Sequence, residues 1–415
     1  MTAMMQAELL TVGSELTSGA TVNTNAAYLA RRLAECGLPC RRHVTVGDER
    51  AGLVDALRES LSRTELLIIT GGLGPTFDDV TMAAIAEATG RPLVHTPSAA
   101  ATIRRFYTRR HRRLQRAALR QASLPQGGLA LPNPVGTAPG LWLALDQQLV
   151  IALPGVPSEM RAIMERHVLP RLKRRGGALA IESLTLRTAG IVELSIEAIL
   201  RRLHIPNGVE VGLYPHLRMV DVRLTATARS RQAARRALGQ LAATLRRRLG
   251  RAVYGMGDET LEAVIGRRLV QRRWTLGVAE SCTGGLVSDR LTNVPGSSRY
   301  LRGSVVAYHN DIKRGSLGVL ASTLARFGAV SAQAAGEMAQ GVRRLTGADI
   351  GLAITGIAGP TGSTPQKPVG LVYLGLSRGR RARAQRCQFF GDRIAIKGQA
   401  AQAALDWLRQ SLEDA

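Results

Sequence analysis

The chain has 415 residues, 45% hydrophobic and 21% charged, a composition that excludes wholesale disorder or a collagen-like chain and sets a prior of roughly three domains. No apolar run reaches the roughly 18 residues of a membrane helix, the start lacks a signal-peptide pattern, and four cysteines are too few for a disulfide scaffold, so a cytoplasmic location and no membrane partner are expected. Lys+Arg 56 against Asp+Glu 31 gives a net charge of +25, but lysine stands only at Lys173, Lys313, Lys367 and Lys397; a bias toward arginine follows from coding composition as readily as from phosphate contacts, so nucleic-acid binding is expected as non-specific, salt-sensitive adhesion.

In chain order, Ala7–Val12 reads as an apolar strand that turns at Gly13-Ser14-Glu15. Residues 25–36 carry helical apolar spacing through Ala26, Leu29, Ala30 and Leu33 and stop at Gly37. Cys36 and Cys40 stand four apart with no matching Cys/His pair, which argues against zinc. Residues 42–46 read as a strand, 52–61 as a helix, and 66–70 as a continuous apolar run of the kind a buried parallel strand shows. The βαβ rhythm predicts a doubly wound parallel sheet with ligands beyond the carboxyl ends of its strands, where residues 11–15 and 71–79 fall. Gly71, Gly72 and Gly74 form a loop that a phosphate can approach. Asp78 and Asp79 then offer paired carboxylates for a divalent metal or, on the plainer alternative, a cap for the next helix.

Residues 99–122 read as a strongly basic helical stretch with Ile103, Phe106, Tyr107 and Leu114 inward and arginines in solvent, or else facing an anion. Pro and Gly at high density over 123–160 predict long ordered loops. Residues 171–177 read as a linker, 182–253 as a small α+β module whose last helix (231–249) is basic on one face, and the rest as a final α/β unit. The domain boundaries expected are 1–170, 171–255 and 256–415. In the final unit, 261–273 reads as a helix; 275–279, 304–308, 350–355 and 369–376 read as strands.

The chemistry concentrates there. Ala279-Glu280-Ser281-Cys282-Thr283-Gly284-Gly285 leaves a strand and opens a helix at 286–291. Unpaired N–H groups at such a turn favour an oxyanion or phosphate, and glycine permits close approach. Ser281 is therefore a candidate nucleophile, with N–H groups near Cys282–Gly285 as oxyanion donors; alternatively Ser281 or Thr283 is only a helix cap. Lys313 is a candidate base, because a buried lysine can lose its proton where an arginine cannot. Tyr308 could relay a proton or hold the lysine; the plain alternative is a surface lysine and a core tyrosine. Thr355-Gly356-Ile357-Ala358-Gly359-Pro360 is a second glycine-rich loop at a strand end and suits an anion.

These stretches, with Val294–Ser298, Gly328–Ser331, Lys367–Gly370 and Gly391-Asp392-Arg393, resemble the CinA C-terminal domain over about 258–412. The family includes nicotinamide mononucleotide deamidases. The resemblance implies hydrolysis of nicotinamide mononucleotide to nicotinate mononucleotide and ammonia, without a cofactor, in pyridine-nucleotide recycling. Its serine, tyrosine and lysine fall on Ser281, Tyr308 and Lys313, with substrate contacts expected at Thr283, Gly284, Gly285, Asn310, Thr355, Gly356, Gly359 and Arg393. The usual Tyr-Ser-Asn reads Tyr308-His309-Asn310 here.

Over about 6–170, Thr11–Glu15, Asn23-Thr24-Asn25, Gly71–Thr81, Gly136–Gly140 and Leu153–Met160 resemble the molybdopterin-binding-like domain at the front of CinA proteins. That likeness implies a nucleotide or pyrophosphate site at Asn25, Gly71, Gly72, Gly74, Thr76, Gly136, Thr137 and Glu159. It also implies a metal at Asp78 and Asp79 and, as in some relatives, ADP-ribose pyrophosphatase activity; Arg120 stands where relatives place lysine. Residues 182–253 resemble the family's KH-type module, with its usual Gly-Glu-Ser altered at Gly190–Leu194. Both outer domain families commonly form homodimers. The alternatives are a nucleic-acid-associated competence protein and a pterin- or nucleotide-binding protein.

Overall fold

The computed structural model describes residues 6–111, 113–175 and 180–413. The chain divides into two compact units, Met1–Glu182 with Ala226–Arg236 and Ser183–Thr225 with Ala237–Ala415. The fold is mixed α/β, with a doubly wound, parallel-dominated sheet in the first unit, a small α+β module, and a C-terminal α/β sheet. Among the described residues no helix is long and apolar enough to cross a membrane.

The first sheet contains β1 (Ala7–Val12), β2 (Cys40–Val46), β3 (Leu66–Thr70), β6 (Leu129–Leu131), β7 (Gly140–Ala144) and β8 (Leu149–Leu153) in the order β2-β1-β3-β8-β7-β6. The pairs β1–β2, β1–β3 and β3–β8 are parallel; β7 turns back antiparallel. Alternation along the strands sorts the core onto two faces. Leu9, Leu66, Ile68 and Ile151 pack with Leu29, Leu33, Met160 and Ile163. Leu10, Leu67, Ile69 and Val150 pack with Leu53, Leu57, Ala84 and Ile85 on the other side. Covering both faces is what makes 66–70 read as an unbroken apolar run.

Three expectations need correction here. The basic stretch is not one helix: Pro97–Arg109 ends near His111, whose φ of 51° lies in the left-handed region, and a 3-10 segment resumes at Arg116–Ala122. Ile103 is buried, whereas Phe106, Tyr107 and Leu114 are only half-buried. Residues 123–160 are not long loops but β5 (Ser123–Pro125), which pairs with β4 (Leu93–His95), then β6, β7, β8 and the helix Pro157–Ile163. Apart from Pro134 in the β6–β7 connection, their prolines stand at strand ends and in the first helical turn, positions that need no ladder N–H. Residues 171–175 continue the helix Leu169–Arg175, and the remainder of the expected linker lies outside the described residues.

The middle module is a four-stranded sheet, β10 (Val209–His216), β11 (Met219–Ala228), β9 (Ala180–Ala189) and β12 (Val253–Met256) in that order, with helices Glu193–Leu200 and Arg231–Leu249.

The last sheet runs β14 (Leu301–Val306), β13 (Leu276–Glu280), β15 (Ile350–Gly356), β16 (Leu371–Arg378) and β17 (Arg381–Gln388). The strands β13, β14 and β15 are parallel; β16 and β17 close the sheet antiparallel. One face packs Leu276, Val278, Leu352, Ile354 and Leu374 against the helices Leu261–Arg272 and Arg393–Glu413. The other face is built of small residues and receives the helix Ala332–Thr346. A Cβ on Gly351 would lie 1.9 Å from the Ala339 carbonyl oxygen, so this helix seats against the sheet only because glycine is there. Arg290 donates to Glu262 at 2.6 Å and Gln402 at 2.7 Å, tying three helices of this unit together.

Candidate functional site

The loop after β13 is braced by both neighbouring strands and by its own carboxylate. The Ser281 N–H donates to the Ile354 carbonyl at 2.9 Å and the Ala307 N–H to the Glu280 carbonyl at 2.7 Å, so both neighbouring strands hold it. Glu280 is fully buried, and its carboxylate accepts from the N–H groups of Gly285, Val287 and Ser288 and from the Ser288 hydroxyl at 2.6–3.1 Å. A carboxylate thus answers the donors that open the helix Leu286–Thr292, as the orphan N–H groups and the dipole favour. Neither Ser281 nor Thr283 caps this helix; its N-cap residue is Gly285, with φ 98°.

That arrangement changes the expected oxyanion donors. The Gly285 N–H is engaged by Glu280 and the Gly284 N–H by the Ser281 carbonyl at 3.1 Å. Among the described residues, the N–H groups of Cys282 and Thr283 take no acceptor from another residue. The Thr283 hydroxyl is buried without a partner beside them.

Lys313 reaches the same point from the next element. It lies on the short helix Asn310–Gly315 after β14, and its side chain turns inward with only 2% exposure. Its Nζ lies 3.1 Å from Ser281 Oγ, donates to the Ala307 carbonyl at 2.7 Å, and lies 3.2 Å from the Tyr308 carbonyl. Ser281 itself is 8% exposed. Burial lowers the lysine's proton affinity. Burial also pushes the neighbouring Cys282 thiol up to about 12, while any charge on that thiol would act the other way and raise the lysine. A neutral amine has two hydrogens and one lone pair. In that form the two carbonyls would take the hydrogens and the lone pair would face Ser281 Oγ.

The Tyr308 side chain is in neither expected place. Its ring is 59% exposed and its hydroxyl accepts from Arg393 Nη2 at 2.6 Å, so it meets Lys313 only through its main-chain carbonyl. Arg393 Nη1 donates to the Gly359 carbonyl at 2.6 Å, which joins residues 308, 359 and 393 in one fork. His309 points outward, 77% exposed beside Asp311, and Asn310 is exposed. Thr355 is buried with its hydroxyl donating to the Ala329 carbonyl, and Gly356 ends β15 against Val372. The sequence reading missed two groups. Glu280 could have been found as an acid closing an apolar strand before a glycine-rich turn. Lys397, one of the chain's few lysines, has its Nζ 3.6 Å from where a Gly284 Cβ would stand, with no acceptor among the described residues.

In the first unit, residues beyond β3 and β8 converge. Asn25 donates to the Gly155 carbonyl at 2.7 Å and lies 3.4 Å from Thr70 Oγ1, while its Oδ1 is buried without a partner. Gly71, at φ 113°, passes so close to β1 that a Cβ would sit 2.1 Å from the Val12 carbonyl oxygen, and the Gly72 carbonyl anchors the Thr81 N–H. Asp79 accepts from Gly74 N–H, Thr76 N–H and Thr76 Oγ1 at 2.5–2.8 Å. It therefore shapes the glycine loop rather than pairing with Asp78, which is exposed. The Gly136 N–H donates to Asn133 Oδ1, and Asn133 Nδ2 donates to Glu159; Thr137 is half-buried beside them. Among the described residues no group of three or more His, Cys, Asp or Glu is placed to hold a metal. With Asp79 occupied by its own loop and Asp78 in solvent, the pair does not fit a resident divalent ion.

Three family models match successive parts of the chain: the probable molybdopterin binding domain over 8–174, the damage-inducible protein CinA KH domain over 183–255, and the CinA C-terminal domain over 258–412. A CinA-like protein of Salinibacter ruber is 45% identical over 411 residues, covering 98% of this chain and 100% of its own. The chain belongs to the CinA family. Another relative, a putative competence-damage inducible protein of Moorella thermoacetica, is 44% identical over 98% of this chain and 99% of its own. Among solved structures, a CinA protein of unknown function from Thermoplasma acidophilum is 39% identical, covers 39% of this chain and 95% of its own, and has a TM-score of 0.37. Within this CinA architecture, Ser281 and Lys313 lie in the CinA C-terminal domain and the glycine loop 71–74 in the molybdopterin binding domain.

Proposed function

We propose that the C-terminal domain hydrolyses the carboxamide of nicotinamide mononucleotide to nicotinate mononucleotide and ammonia. The observation that carries this reading is the buried contact between Lys313 Nζ and Ser281 Oγ at 3.1 Å, with no carboxylate paired to the lysine among the described residues. Ser281 Oγ attacks the carboxamide carbon as its proton passes to the Lys313 lone pair. The developing oxyanion lies at the N–H groups of Cys282 and Thr283. Collapse breaks the C–N bond, and Lys313 returns its proton to the departing ammonia. Water then attacks the acyl-enzyme, giving a proton to Lys313, and the carboxylate leaves as Ser281 regains its hydrogen. Lys397 and the Arg393 fork supply positive charge for the substrate phosphate.

The test is ammonia release from nicotinamide mononucleotide, without added metal, by the wild type, Ser281→Ala and Lys313→Met. Release by the wild type alone supports both roles. Undiminished release by Lys313→Met sinks the base, and none by folded wild type sinks the amidase. For the first unit we propose a nucleotide- or pterin-binding role centred on the Gly71–Gly74 loop, tested by titrating the full chain with ADP-ribose. The engaged Asp79 gives a metal-dependent pyrophosphatase no support.

A further inference from the structure

The second unit has another concentration of positive charge at the opposite end of its sheet. A cleft of about 850 Å³ is lined there by Trp274, Arg343, Asp349, Arg378, Arg381 and Arg383. Register fixes its place: Leu276 pairs with Ile350, Ile350 with Arg378, and Arg378 with Arg381. Ser281 follows the other end of β13, about 17 Å away at the usual rise per residue.

The guanidinium groups of Arg343, Arg378, Arg381 and Arg383 have no ion-pair partner among the described residues. Among the described residues, Arg343 Nε is buried with no hydrogen-bond partner. The lining's one acid, Asp349, is already engaged by the N–H and hydroxyl of Thr275 at 2.8 Å. Arg378 lies over the Trp274 ring at 3.8 Å from its centroid, and Arg272 at 5.6 Å.

Two plainer roles explain only parts of this. Arg343 lies in the last turn of the helix Ala332–Thr346, where a cation complements the dipole, but that leaves its Nε unanswered. The β17 arginines protect an edge strand, as charges there do, but that does not require them to share a cleft with Trp274 and Arg343. Convergent guanidinium groups repel one another, and their planar forks match phosphate oxygens.

We propose that this cleft binds a ligand bearing two or more linked phosphates, either an inorganic polyphosphate or the polyphosphate of a nucleotide. The inference is independent of the amidase chemistry. The full chain is titrated with orthophosphate, tripolyphosphate and ATP at moderate salt, followed by calorimetry. Saturable tripolyphosphate binding is expected, at least tenfold tighter than orthophosphate and weakened tenfold or more in Arg381→Ala/Arg383→Ala. Those two positions are exposed on the edge strand, so an unchanged melting temperature verifies the fold. ATP binding more tightly than tripolyphosphate, with that advantage lost in Arg381→Ala/Arg383→Ala, identifies a nucleotide in the cleft; equal affinity identifies the phosphate chain alone. Arg105→Ala/Arg109→Ala removes the same charge from the first unit and should leave binding unchanged. The proposal is overturned by undiminished binding in the cleft variant, by equal loss in both variants, or by no saturation. Displacement of tripolyphosphate by far lower concentrations of a single-stranded oligonucleotide would also overturn it, marking a nucleic-acid surface.

Discussion

The loops after β3 and β13 are built from the same ingredients and do different work. Each leaves a fully buried parallel strand, carries glycines at positive φ, and uses a carboxylate to collect N–H groups. In the first unit the carboxylate is Asp79, which follows the loop and folds it onto itself through Gly74 and Thr76. In the second it is Glu280, which precedes the loop and takes the donors at the start of the next helix. The second loop also receives Lys313 from the neighbouring strand's turn, whereas among the described residues the first receives no buried amine. Acidic residues beside a glycine loop are scaffolding in both units. What sets the second apart is the long-range delivery of a buried amine to a hydroxyl.

The largest effect expected follows from removing that pair. Ser281→Ala should abolish ammonia release, and Lys313→Met should lower kcat by about 10²–10⁴-fold, the range for a lost general base. Activity should rise with pH through a lysine limb below the ordinary value of 10.5, because burial favours the neutral amine. The sign for stability follows from linkage: the folded state holds the proton less tightly than the unfolded chain, so the buried ammonium costs stability at low pH. That cost fades as pH rises from the depressed value toward 10.5. The melting temperature of the wild type relative to Lys313→Met should therefore climb over the same window, measured by a thermal melt at each pH.

Glu280→Gln tests the scaffold. Its amide nitrogen cannot accept, so some of the buried donors at Gly285, Val287 and Ser288 lose their partner, at a cost of about 2–4 kcal/mol in a denaturant titration. Activity should fall with it as Cys282 and Thr283 lose their fixed positions. If stability falls while activity does not, the loop is not the oxyanion site.

Lys397→Met should raise KM for nicotinamide mononucleotide about tenfold with kcat little changed, the signature of lost uniform binding. Nicotinamide riboside, which lacks the phosphate, should respond little; an equal response would remove Lys397 from phosphate binding. The smallest effects separate the two aspartates of the first unit. Asp79→Asn should cost about 1–2 kcal/mol through its loop donors, and exposed Asp78→Asn less than about 0.5 kcal/mol. Comparable losses would mean that the pair acts together.

Local pattern made the parallel strands legible: the apolar runs at 66–70 and 350–354 need both faces covered and can be little else. Composition misled where breakers mark strand ends, as with the prolines over 123–160, and where charge hid regular structure, as in the exposed edge strand β17. The helices Ala332–Thr346 and Arg393–Glu413 went unread in the sequence.

By itself, then, the sequence determined which turns could host chemistry, because a glycine-rich turn after a buried strand offers backbone donors that the strand ladder no longer pairs. It singled out Ser281, and it singled out Lys313 because lysine is scarce in this chain. Only the tertiary structure decided which groups meet. Thirty-two residues separate Ser281 from Lys313, and parallel pairing of β13 with β14 brings the two together. The same packing turned the Tyr308 hydroxyl toward Arg393 and set the Glu280 carboxylate against the first donors of the helix, choices set by burial and hydrogen-bond satisfaction across the sheet rather than by local spacing.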